Sequence, residues 1–347
     1  MAIGWGFIGT GRYPDRSGAP AMALAKDTNL VATYSRDMGR AEGFAKKHGF
    51  QAAYDSLEDL LGDSRVDAVF ISSPNHLHAS YTQMAANAGK HVLVEKPMSL
   101  TVDEGVDMVR ACRANGVRLG VGFQLRYHPG HTEASRLVRE GVLGGIALAQ
   151  VQIGGGTRGE LSRAPRTGLS EWWEHPEMVG GSSTMIGAGI HALDDLHHIL
   201  GQTVVELAAI TDGQTADSPM ESLATMCLRF DGGAIATLCC SSRVPDFKND
   251  VTIYGNVGNI VLKDSSRPTF AGSLEVSSET VNTAKSYEPD ALSLFTWQTE
   301  AFNAAIQQGE DPPASGIAGL KAVQVTAAMI ESASTGKTVK LEPLPVS

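Results

Sequence analysis

Short apolar segments alternate with helix-like segments through the first third of the chain. The apolar segments read IGWGFIG, LVATYS, DAVFISS, HVLVEKP and VRLGVGF, and stretches such as MGRAEGFAKKHG separate them. Each apolar segment is hydrophobic at successive positions, which is typical of a strand buried on both faces. The pattern therefore predicts an α/β domain over residues 1–123, with a parallel sheet covered by helices.

The pattern changes after the segment YHPGHTEASRLVREGVLGG. The strand-like segments IALAQVQIGGG, SLATMCLRF, AIATLCCSS, DVTIYG, NIVLK and SLEVSSE tend to alternate apolar with polar residues, which favours an antiparallel sheet. Two segments with helical spacing, FTWQTEAFNAAIQQG and AGLKAVQVTAAMIESASTGKTV, follow them and contain glycine stop signals. We predict a second domain over residues 124–347, of the α+β class, with a large and mostly antiparallel open sheet.

Composition narrows the class of protein and of partner. Of the 347 residues, 42% are hydrophobic and 19% are charged, as in ordinary globular proteins. The net charge of −10 and the lack of Lys/Arg clusters argue against nucleic acid and anionic membranes as partners. Four irregularly spaced cysteines suit neither a disulfide framework nor a zinc knuckle. With no basic leader and no apolar run of about 18 residues, we expect a cytoplasmic protein.

A glycine-rich turn follows the first predicted strand, in GFIGTGRYP. Glycines here allow a tight turn and a close backbone approach to a pyrophosphate, which the next helix N-terminus then favours. Pro14 takes the place of the third glycine of the full fingerprint, so an ordinary tight turn is the alternative. In its βαβ context, the turn predicts a Rossmann dinucleotide-binding domain. The residues expected to bind the cofactor at this turn are Gly9, Thr10, Gly11, Arg12 and Tyr13.

The end of the second strand, YSRD, bears on the choice of cofactor. Ser35 and Arg36 offer a hydroxyl and a guanidinium suited to a 2′-phosphate, whereas a carboxylate would bind a ribose hydroxyl. We therefore predict that NADP(H) is favoured over NAD(H). The alternative is that Arg36 is a solvated strand-end residue and that Asp37 or a backbone group holds the ribose.

A polar motif, SSPNHLH, follows the DAVFI strand at residues 72–78. Open parallel sheets bind ligands outside the carboxyl ends of their strands. A Pro-Asn turn after a strand is also common without any ligand. Taken alone, the motif leaves both interpretations open.

The ordered set of motifs resembles the Gfo/Idh/MocA family of oxidoreductases. The set comprises GFIGTG, SSPNHLH, EKP at 95–97, GFQLRYHP at 122–129, GAGIHALD at 187–194 and SASTGKTVKL near the end, and it covers essentially the whole chain. The resemblance implies that the lysine of Glu-Lys-Pro lies beside the nicotinamide and the substrate, before a peptide bond that is commonly cis. Further cofactor-binding residues are expected at Ser72, Ser73, Pro74, Asn75, His78, Glu95, Lys96 and Gln124.

Lys96 is the first predicted catalytic residue. The apolar strand HVLV would fix Glu95 and Lys96 at the edge of the sheet, and Pro97 would end the strand. Beside a cationic nicotinamide, a partly desolvated lysine should have a lowered pKa and exchange protons with a substrate hydroxyl near neutral pH. Glu95 would either oppose that shift or orient the ammonium. The competing interpretation is a solvated lysine at a strand end.

His191, in GAGIHALDDLHH, is the second predicted catalytic residue. The resemblance implies an aspartate four residues earlier, but Gly187 stands there, which leaves the proton acceptor less certain. Imidazole suits the role because its ordinary pKa lies nearest to neutral. Asp194 and Asp195 are expected to orient it if the segment is helical. We expect Gly187→Asp to be neutral or harmful, with a Cβ clash if glycine is required there.

Two other interpretations of His191 compete with catalysis. In the first, it is a hydrogen-bonded core histidine; in the second, it joins Asp194, Asp195 and His198 in a metal site at helical spacing. We predict no metal, because hydride transfer to or from a nicotinamide needs none.

Several polar and aromatic residues complete the predicted site. Gln124 is expected to bind a sugar hydroxyl or the nicotinamide amide, or else to be solvated, and Arg126 to hold the domain junction. The loop RAPRTGLSEWWEHP carries two tryptophans that would stack on a sugar ring or nicotinamide, or pack against the second sheet. The predicted substrate-binding residues are Lys96, Gln124, Trp172, Trp173, His191 and Asp194, and the loop also supplies Arg163 and Arg166.

These features together predict an NAD(P)-dependent dehydrogenase or reductase that acts on a CH–OH group of a sugar, sugar derivative or cyclitol. The alternatives are an inactive nucleotide-binding regulatory protein and an enzyme that retains NAD for non-redox chemistry such as glycoside cleavage. The resemblance and the exposed face of the second sheet also predict a homo-oligomer, a dimer or a tetramer.

Overall fold

The computed structural model describes residues 2–158, 166–267 and 269–346. The chain forms two compact units. The first unit comprises Met1–Gln124, Leu292–Leu320 and Pro345–Ser347, and the second comprises Leu125–Ala291 and Lys321–Leu344.

The first unit is built on a six-stranded sheet in the order β3-β2-β1-β4-β5-β6. All neighbouring strands run parallel. The strands are β1 (Ile3–Ile8), β2 (Thr28–Tyr34), β3 (Ala52–Tyr54), β4 (Ala68–Ile71), β5 (His91–Val94) and β6 (Leu119–Val121). Every residue of β1 and β4 is buried, which explains why these segments are apolar at successive positions. The strand order reverses between β1 and β4, where such sheets bind ligands.

The α-helices among the described residues are α1 (Ala19–Leu24), α2 (Met38–His48), α3 (Leu57–Gly62), α4 (His78–Asn87), α5 (Val102–Ala114), α6 (Pro129–Arg139), α7 (Pro176–Val179), α8 (Ile190–Leu200), α9 (Ser293–Gln308) and α10 (Gly316–Thr335). Local sequence explains their starts: Thr101 and Glu104, for example, form a capping box before α5, which satisfies two backbone N–H groups that lack intrahelical partners. No helix within these described ranges combines the length and apolarity needed to cross a bilayer.

Helix α9 belongs to the first unit although it lies far along the chain. The Asn303 side chain accepts a hydrogen bond from Trp5 Nε1 at 3.0 Å, and it donates to the carbonyl oxygen of Lys26 at 3.0 Å. The Trp5 and Phe302 rings also pack with their centroids 5.6 Å apart. A boundary after residue 123 differs from the observed units in this respect, because a late segment completes the first core.

The second unit is built on a nine-stranded sheet in the order β14-β13-β12-β11-β7-β10-β9-β8-β15. Neighbouring strands are antiparallel except β7 and β10, which run parallel. The strands are β7 (Ile146–Gly154), β8 (Val204–Thr211), β9 (Leu223–Phe230), β10 (Ile235–Ser241), β11 (Val251–Gly255), β12 (Gly258–Lys263), β13 (Phe270–Ser278), β14 (Asn282–Asp290) and β15 (Val339–Lys340). The predicted fold class is confirmed for both parts of the chain.

One face of the second sheet is buried and the other is open. On β9 the buried positions alternate with exposed ones, as expected for an antiparallel strand with one covered face. The helical segment before α8 packs tightly on the covered face, since a Cβ on Gly189 would lie 2.7 Å from Cys240 Sγ. The covered face of the sheet therefore contacts the segment that leads into α8, the helix that contains His191.

Candidate active site

The glycine turn after β1 is pressed against the end of β4. Gly9 has φ +117°, and a Cβ there would lie 2.6 Å from the Ser72 carbonyl oxygen. Around Gly11, in contrast, a Cβ would meet no heavy atom within 4 Å. A turn packed tightly on one side and open on the other fits a bound dinucleotide. The neighbouring Thr10 is half-buried and Arg12 is exposed.

Gly18 was not predicted as part of this turn. It allows the close packing on the sheet that the third glycine of the fingerprint would otherwise allow. Pro14 begins a π-helical turn, Pro14–Gly18, that precedes α1. A Cβ on Gly18 would lie 3.2 Å from a ring carbon of Phe70. The third glycine of the fingerprint serves close packing of helix on strand. The π-helical turn changes the spacing, which is why the motif did not reveal Gly18.

The hydroxyl of Tyr13, a residue predicted to bind the cofactor, points toward Glu95. Its ring packs 5.7 Å from Phe295 between centroids, and its hydroxyl hydrogen-bonds the Glu95 carboxylate. Burial raises the pKa of Glu95 to about 7, against the opposing effects of Lys96 and of the Tyr13 hydroxyl. The carboxylate is closely packed, since a Cβ on Gly122 would lie 2.9 Å from Glu95 Oε1.

Two hydrogen bonds fix the conformation of the motif after β4. Ser72 N–H donates to the Ile8 carbonyl oxygen at 2.9 Å, and Ser73 Oγ donates to the Pro74 carbonyl oxygen at 3.3 Å. Asn75 is buried and begins a 3₁₀ turn. These residues lie at the carboxyl end of the parallel sheet, as predicted.

His78 is buried between two loops, and both of its ring nitrogens are engaged. Nδ1 lies 2.8 Å from the Pro97 carbonyl oxygen and Nε2 lies 3.0 Å from that of Ser73. Burial lowers the pKa of His78 to about 4, so at pH 7 the neutral ring donates to one of the two carbonyls. His78, expected to contact the cofactor, thus lies buried between the loop after β4 and the loop after β5, with a hydrogen bond to one of them.

Lys96 follows β5 and is half-buried. Its backbone N–H donates to Glu95 Oε2 at 3.3 Å. The Lys96–Pro97 peptide bond is cis, as the resemblance implied. Strand, carboxylate and proline together fix the backbone from which the lysine side chain extends.

The first turn of α2 places a cationic residue, Arg40, beside the end of β2, and the sequence motif missed it. Arg40 Nε lies 3.4 Å from the Oγ of the buried Ser35, and Arg36 is exposed nearby in sequence. Asp37 Oδ1 instead accepts the Arg40 N–H at 2.8 Å and caps α2. Sequence reasoning stopped at the strand end and so missed Arg40, which lies in the first turn of α2.

In the second unit, α8 carries two buried carboxylates, Asp194 and Asp195, that were expected to orient His191. Asp194 accepts from Arg126 at 2.7 Å from Nε and 2.6 Å from Nη2. Burial raises the pKa of Asp194 to about 6, although Arg126 opposes this shift. Asp195 Oδ1 lies 3.1 Å from His131 Nδ1, and both side chains are fully buried. The segment is helical as predicted; Asp194 holds it to the turn before α6, and Asp195 faces His131 of α6.

Arg126 and Gln124 lie on the same 3₁₀ turn, Gln124–Tyr127. Arg126, which was expected to hold the domain junction, pairs in a bidentate manner with Asp194 of its own unit. Gln124 is only 5% exposed, so the solvated alternative does not hold.

The two tryptophans stack on each other. Trp172 and Trp173 are half-buried, with ring centroids 4.8 Å apart at an interplanar angle of 30°. The Arg166 guanidinium lies 4.1 Å from the Trp173 ring centroid. Arg163 lies outside the described residues. Through the described ranges, no group of three or more His, Cys, Asp or Glu residues is arranged to bind a metal ion.

Gly187 has ample space, which corrects the expected clash. The residue does not have a positive φ, and a Cβ there would meet no heavy atom within 4 Å. Gly187→Asp should therefore fold normally and should move the pH limb assigned to His191 upward, because a nearby carboxylate stabilises imidazolium.

The matched control is Gly189→Ala, whose Cβ would lie 2.6 Å from Met185 Sδ and should lower the thermal midpoint. Thermal unfolding and the pH dependence of kcat/KM measure both effects. A large loss of stability in Gly187→Asp, equal to that of Gly189→Ala, would contradict this prediction.

Comparison with known proteins assigns both parts of the chain to one family. A family profile described as an oxidoreductase family with an NAD-binding Rossmann fold matches residues 3–123, and one described as its C-terminal alpha/beta domain matches residues 135–341. The D-xylose 1-dehydrogenase (NADP(+)) 2 of Haloferax volcanii is 30% identical over 97% of this chain and 99% of that protein. The 1,5-anhydro-D-fructose reductase of Ensifer adhaerens is 27% identical over 97% of this chain and 98% of that protein.

A solved structure of an oxidoreductase has a similar fold over nearly the whole chain. The aldose-aldose oxidoreductase of Caulobacter crescentus, complexed with glycerol, has a TM-score of 0.86 and 25% identity, covering 98% of this chain and all of that one. The chain thus belongs to the Gfo/Idh/MocA family of oxidoreductases and is a nicotinamide-dependent dehydrogenase or reductase.

Proposed function

We propose that the enzyme favours NADP(H) and transfers hydride between the nicotinamide and a hydroxyl-bearing carbon of a sugar, sugar derivative or cyclitol. The observation that carries the proposal is the placement of Lys96 two residues after the end of β5, in the unit that contains the tight Gly9 turn. Both features lie at the carboxyl ends of parallel strands, where this class of sheet binds nucleotides.

The residues proposed to hold the cofactor share one edge of the first sheet. The backbone of the glycine turn would receive the pyrophosphate, and the end of β2 would receive the 2′-phosphate. The proposed residues are Gly9, Thr10, Gly11, Arg12, Ser35, Arg36, Arg40, Ser72, Ser73, Pro74, Asn75, Glu95, Lys96 and Gln124. A bound nicotinamide supplies the hydride chemistry, and the chain supplies position and charge.

Lys96 and His191 are the proposed catalytic residues. Lys96 Nζ exchanges a proton with the reacting hydroxyl, and the His191 ring accepts or returns that proton. Glu95, with its pKa raised to about 7 by burial, is partly protonated at neutral pH and so changes the charge beside Lys96. Gln124, Trp172 and Trp173 are proposed to bind the substrate. Asp194 has its carboxylate engaged by Arg126 and drops out of the substrate set.

The substrate class is inferred from two relatives, whose names state action on D-xylose and 1,5-anhydro-D-fructose. A panel of aldoses, keto-sugars and inositols, each assayed with NADPH, NADP⁺, NADH and NAD⁺ by the absorbance of the reduced nicotinamide, tests the proposal. Turnover confined to one or more polyhydroxylated substrates supports it. Turnover only on substrates without a carbinol or a carbonyl carbon would overturn it.

The cofactor preference gives a prediction for two arginines. Arg36→Ala and Arg40→Ala should each raise the dissociation constant for NADPH about tenfold or more, because a charge-assisted hydrogen bond to a phosphate is lost. The affinity for NADH should change little. Fluorescence titration measures both, with Lys46→Ala at the other end of α2 as the surface-charge control. Equal affinities of the wild type for NADPH and NADH would contradict the assignment.

The open face of the second sheet is proposed to contact a second copy of the chain, giving a dimer or tetramer. Apolar side chains are exposed on this face, with Ile210 81% exposed and Tyr254 40% exposed. The mass in solution, measured by light scattering, tests this part of the proposal, and the mass of one chain would remove it.

A cytoplasmic location is proposed because Cys112, Cys227, Cys239 and Cys240 are unpaired, as in a reducing compartment.

A further inference from the structure

A buried carboxylate outside all of the predicted motifs holds the start of the helical segment that carries His191. Glu221 lies shortly before β9 and is 1% exposed. Its Oε1 accepts hydrogen bonds from the Ser182 hydroxyl at 2.7 Å and from the Met185 N–H at 2.8 Å. Ser182 is fully buried as well, so neither hydrogen bond is exchanged with bulk water.

The second carboxylate oxygen of Glu221 also accepts two hydrogen bonds. Oε2 accepts from Gln214 Nε2 at 2.9 Å and faces the Ser183 N–H at 3.4 Å. Gln214 is oriented in turn by the Thr211 hydroxyl, which donates to its Oε1 at 2.7 Å. Four donors match the capacity of an ionised carboxylate, so Glu221 is held in a single orientation.

The helical segment needs this acceptor because it has no side-chain cap of its own. Thr184 occupies the N-cap position of the π-helical turn Met185–Gly189 and makes no capping hydrogen bond. The first N–H groups of a helix have no intrahelical acceptors, and the positive end of the helix dipole favours a carboxylate there. Glu221, in the connection between β8 and β9, supplies both the hydrogen-bond acceptor and the carboxylate.

We propose that Glu221 is a positioning residue for catalysis, which caps the Met185–Gly189 turn and thereby fixes α8 and the place of His191. The inference rests on the proposed function of His191. Gly189 packs directly against Cys240, but this contact holds the segment at one point only. Without the cap, the first turn can pivot about Gly189, and that movement shifts His191, which lies two residues further along.

Glu221→Gln is the test variant, since it keeps the shape and removes the charge. In either orientation of the new amide, its NH₂ group faces a backbone N–H, that of Met185 or that of Ser183, and one of these donors loses its acceptor. The matched control is Asp212→Asn. Asp212 lies on the same connection but accepts hydrogen bonds from Ser222 and Leu223 instead of the helix.

Two readouts are combined. Hydrogen exchange of the amides from residue 183 to residue 191, followed by mass spectrometry, should be faster in Glu221→Gln than in the wild type or Asp212→Asn. Because a small misplacement of a reacting group costs up to about a hundredfold, kcat should fall about tenfold to a hundredfold. The KM for NADPH should stay unchanged, since the cofactor residues belong to the first unit.

The outcomes separate the two proposals. Unchanged hydrogen exchange over this segment would overturn the capping claim. Faster exchange with unchanged kcat, while His191→Asn lowers kcat, would overturn the positioning claim and leave the proposed function standing. If His191→Asn retains full activity, the proposed function of His191 fails and the positioning claim falls with it, while the exchange data still report on the cap.

Discussion

Lys96→Ala is expected to lower kcat by about a thousandfold or more, in the upper part of the range for a positioned acid/base group. The affinity for the cofactor should be largely retained, because a proton-handling group acts chiefly in the transition state. Steady-state kinetics on the true substrate and fluorescence titration of the cofactor measure the two quantities separately.

Lys96→Arg is the matched variant for this prediction. Arginine keeps the positive charge, but it stays protonated at all working pH values and cannot exchange a proton. It should therefore be nearly as slow as Lys96→Ala. If Lys96→Ala kept most of its kcat, Lys96 would be removed from the mechanism. If Lys96→Arg were fully active, charge and not proton exchange would be its contribution.

His191→Asn is expected to lower kcat/KM by about 10²- to 10⁴-fold. Asparagine preserves part of the shape and hydrogen bonding of histidine, so the fold and cofactor binding should persist. In the oxidative direction, the wild type should show a rise of kcat/KM with pH as the imidazole loses its proton, and this limb should vanish in the mutant.

His175→Asn provides the control for this experiment, because His175 is an exposed histidine of the same unit. It should keep both the rate and the pH profile of the wild type. A His191→Asn variant with the wild-type rate and profile would make His191 a structural residue and leave Lys96 to act without it.

Much of the fold could be predicted from local pattern. The strands β1, β4 and β5 are buried along their whole length or nearly so, and burial on both faces produces uninterrupted apolar segments that are easy to read. β3 has only three residues, and most residues of β14 are exposed, so neither carries a periodic signal. The pairing of α9 with the first unit depends on contacts such as Asn303 with Trp5, between residues far apart in sequence.

The candidate site was predicted less completely than the fold, for physical reasons. Motifs located Lys96 and His191 because the spacing around them is recognisable. The partners of Asp194, Asp195 and Glu221 come from other elements, and no local pattern reports which buried cation or N–H group a carboxylate will meet. Helical spacing alone suggested that the two aspartates serve His191, whereas packing directed them to α6 and to the turn before it.

The central claim, net hydride transfer between a nicotinamide and a carbinol carbon, is tested most directly by stoichiometry. The oxidation of NADPH, or the reduction of NADP⁺, is followed by absorbance while the product is quantified by chromatography in the same reaction. We expect one nicotinamide to be converted for each product molecule formed, and neither change to occur at a measurable rate with Lys96→Ala. Product formed without net conversion of the nicotinamide would identify an enzyme that retains its cofactor, and would contradict the account.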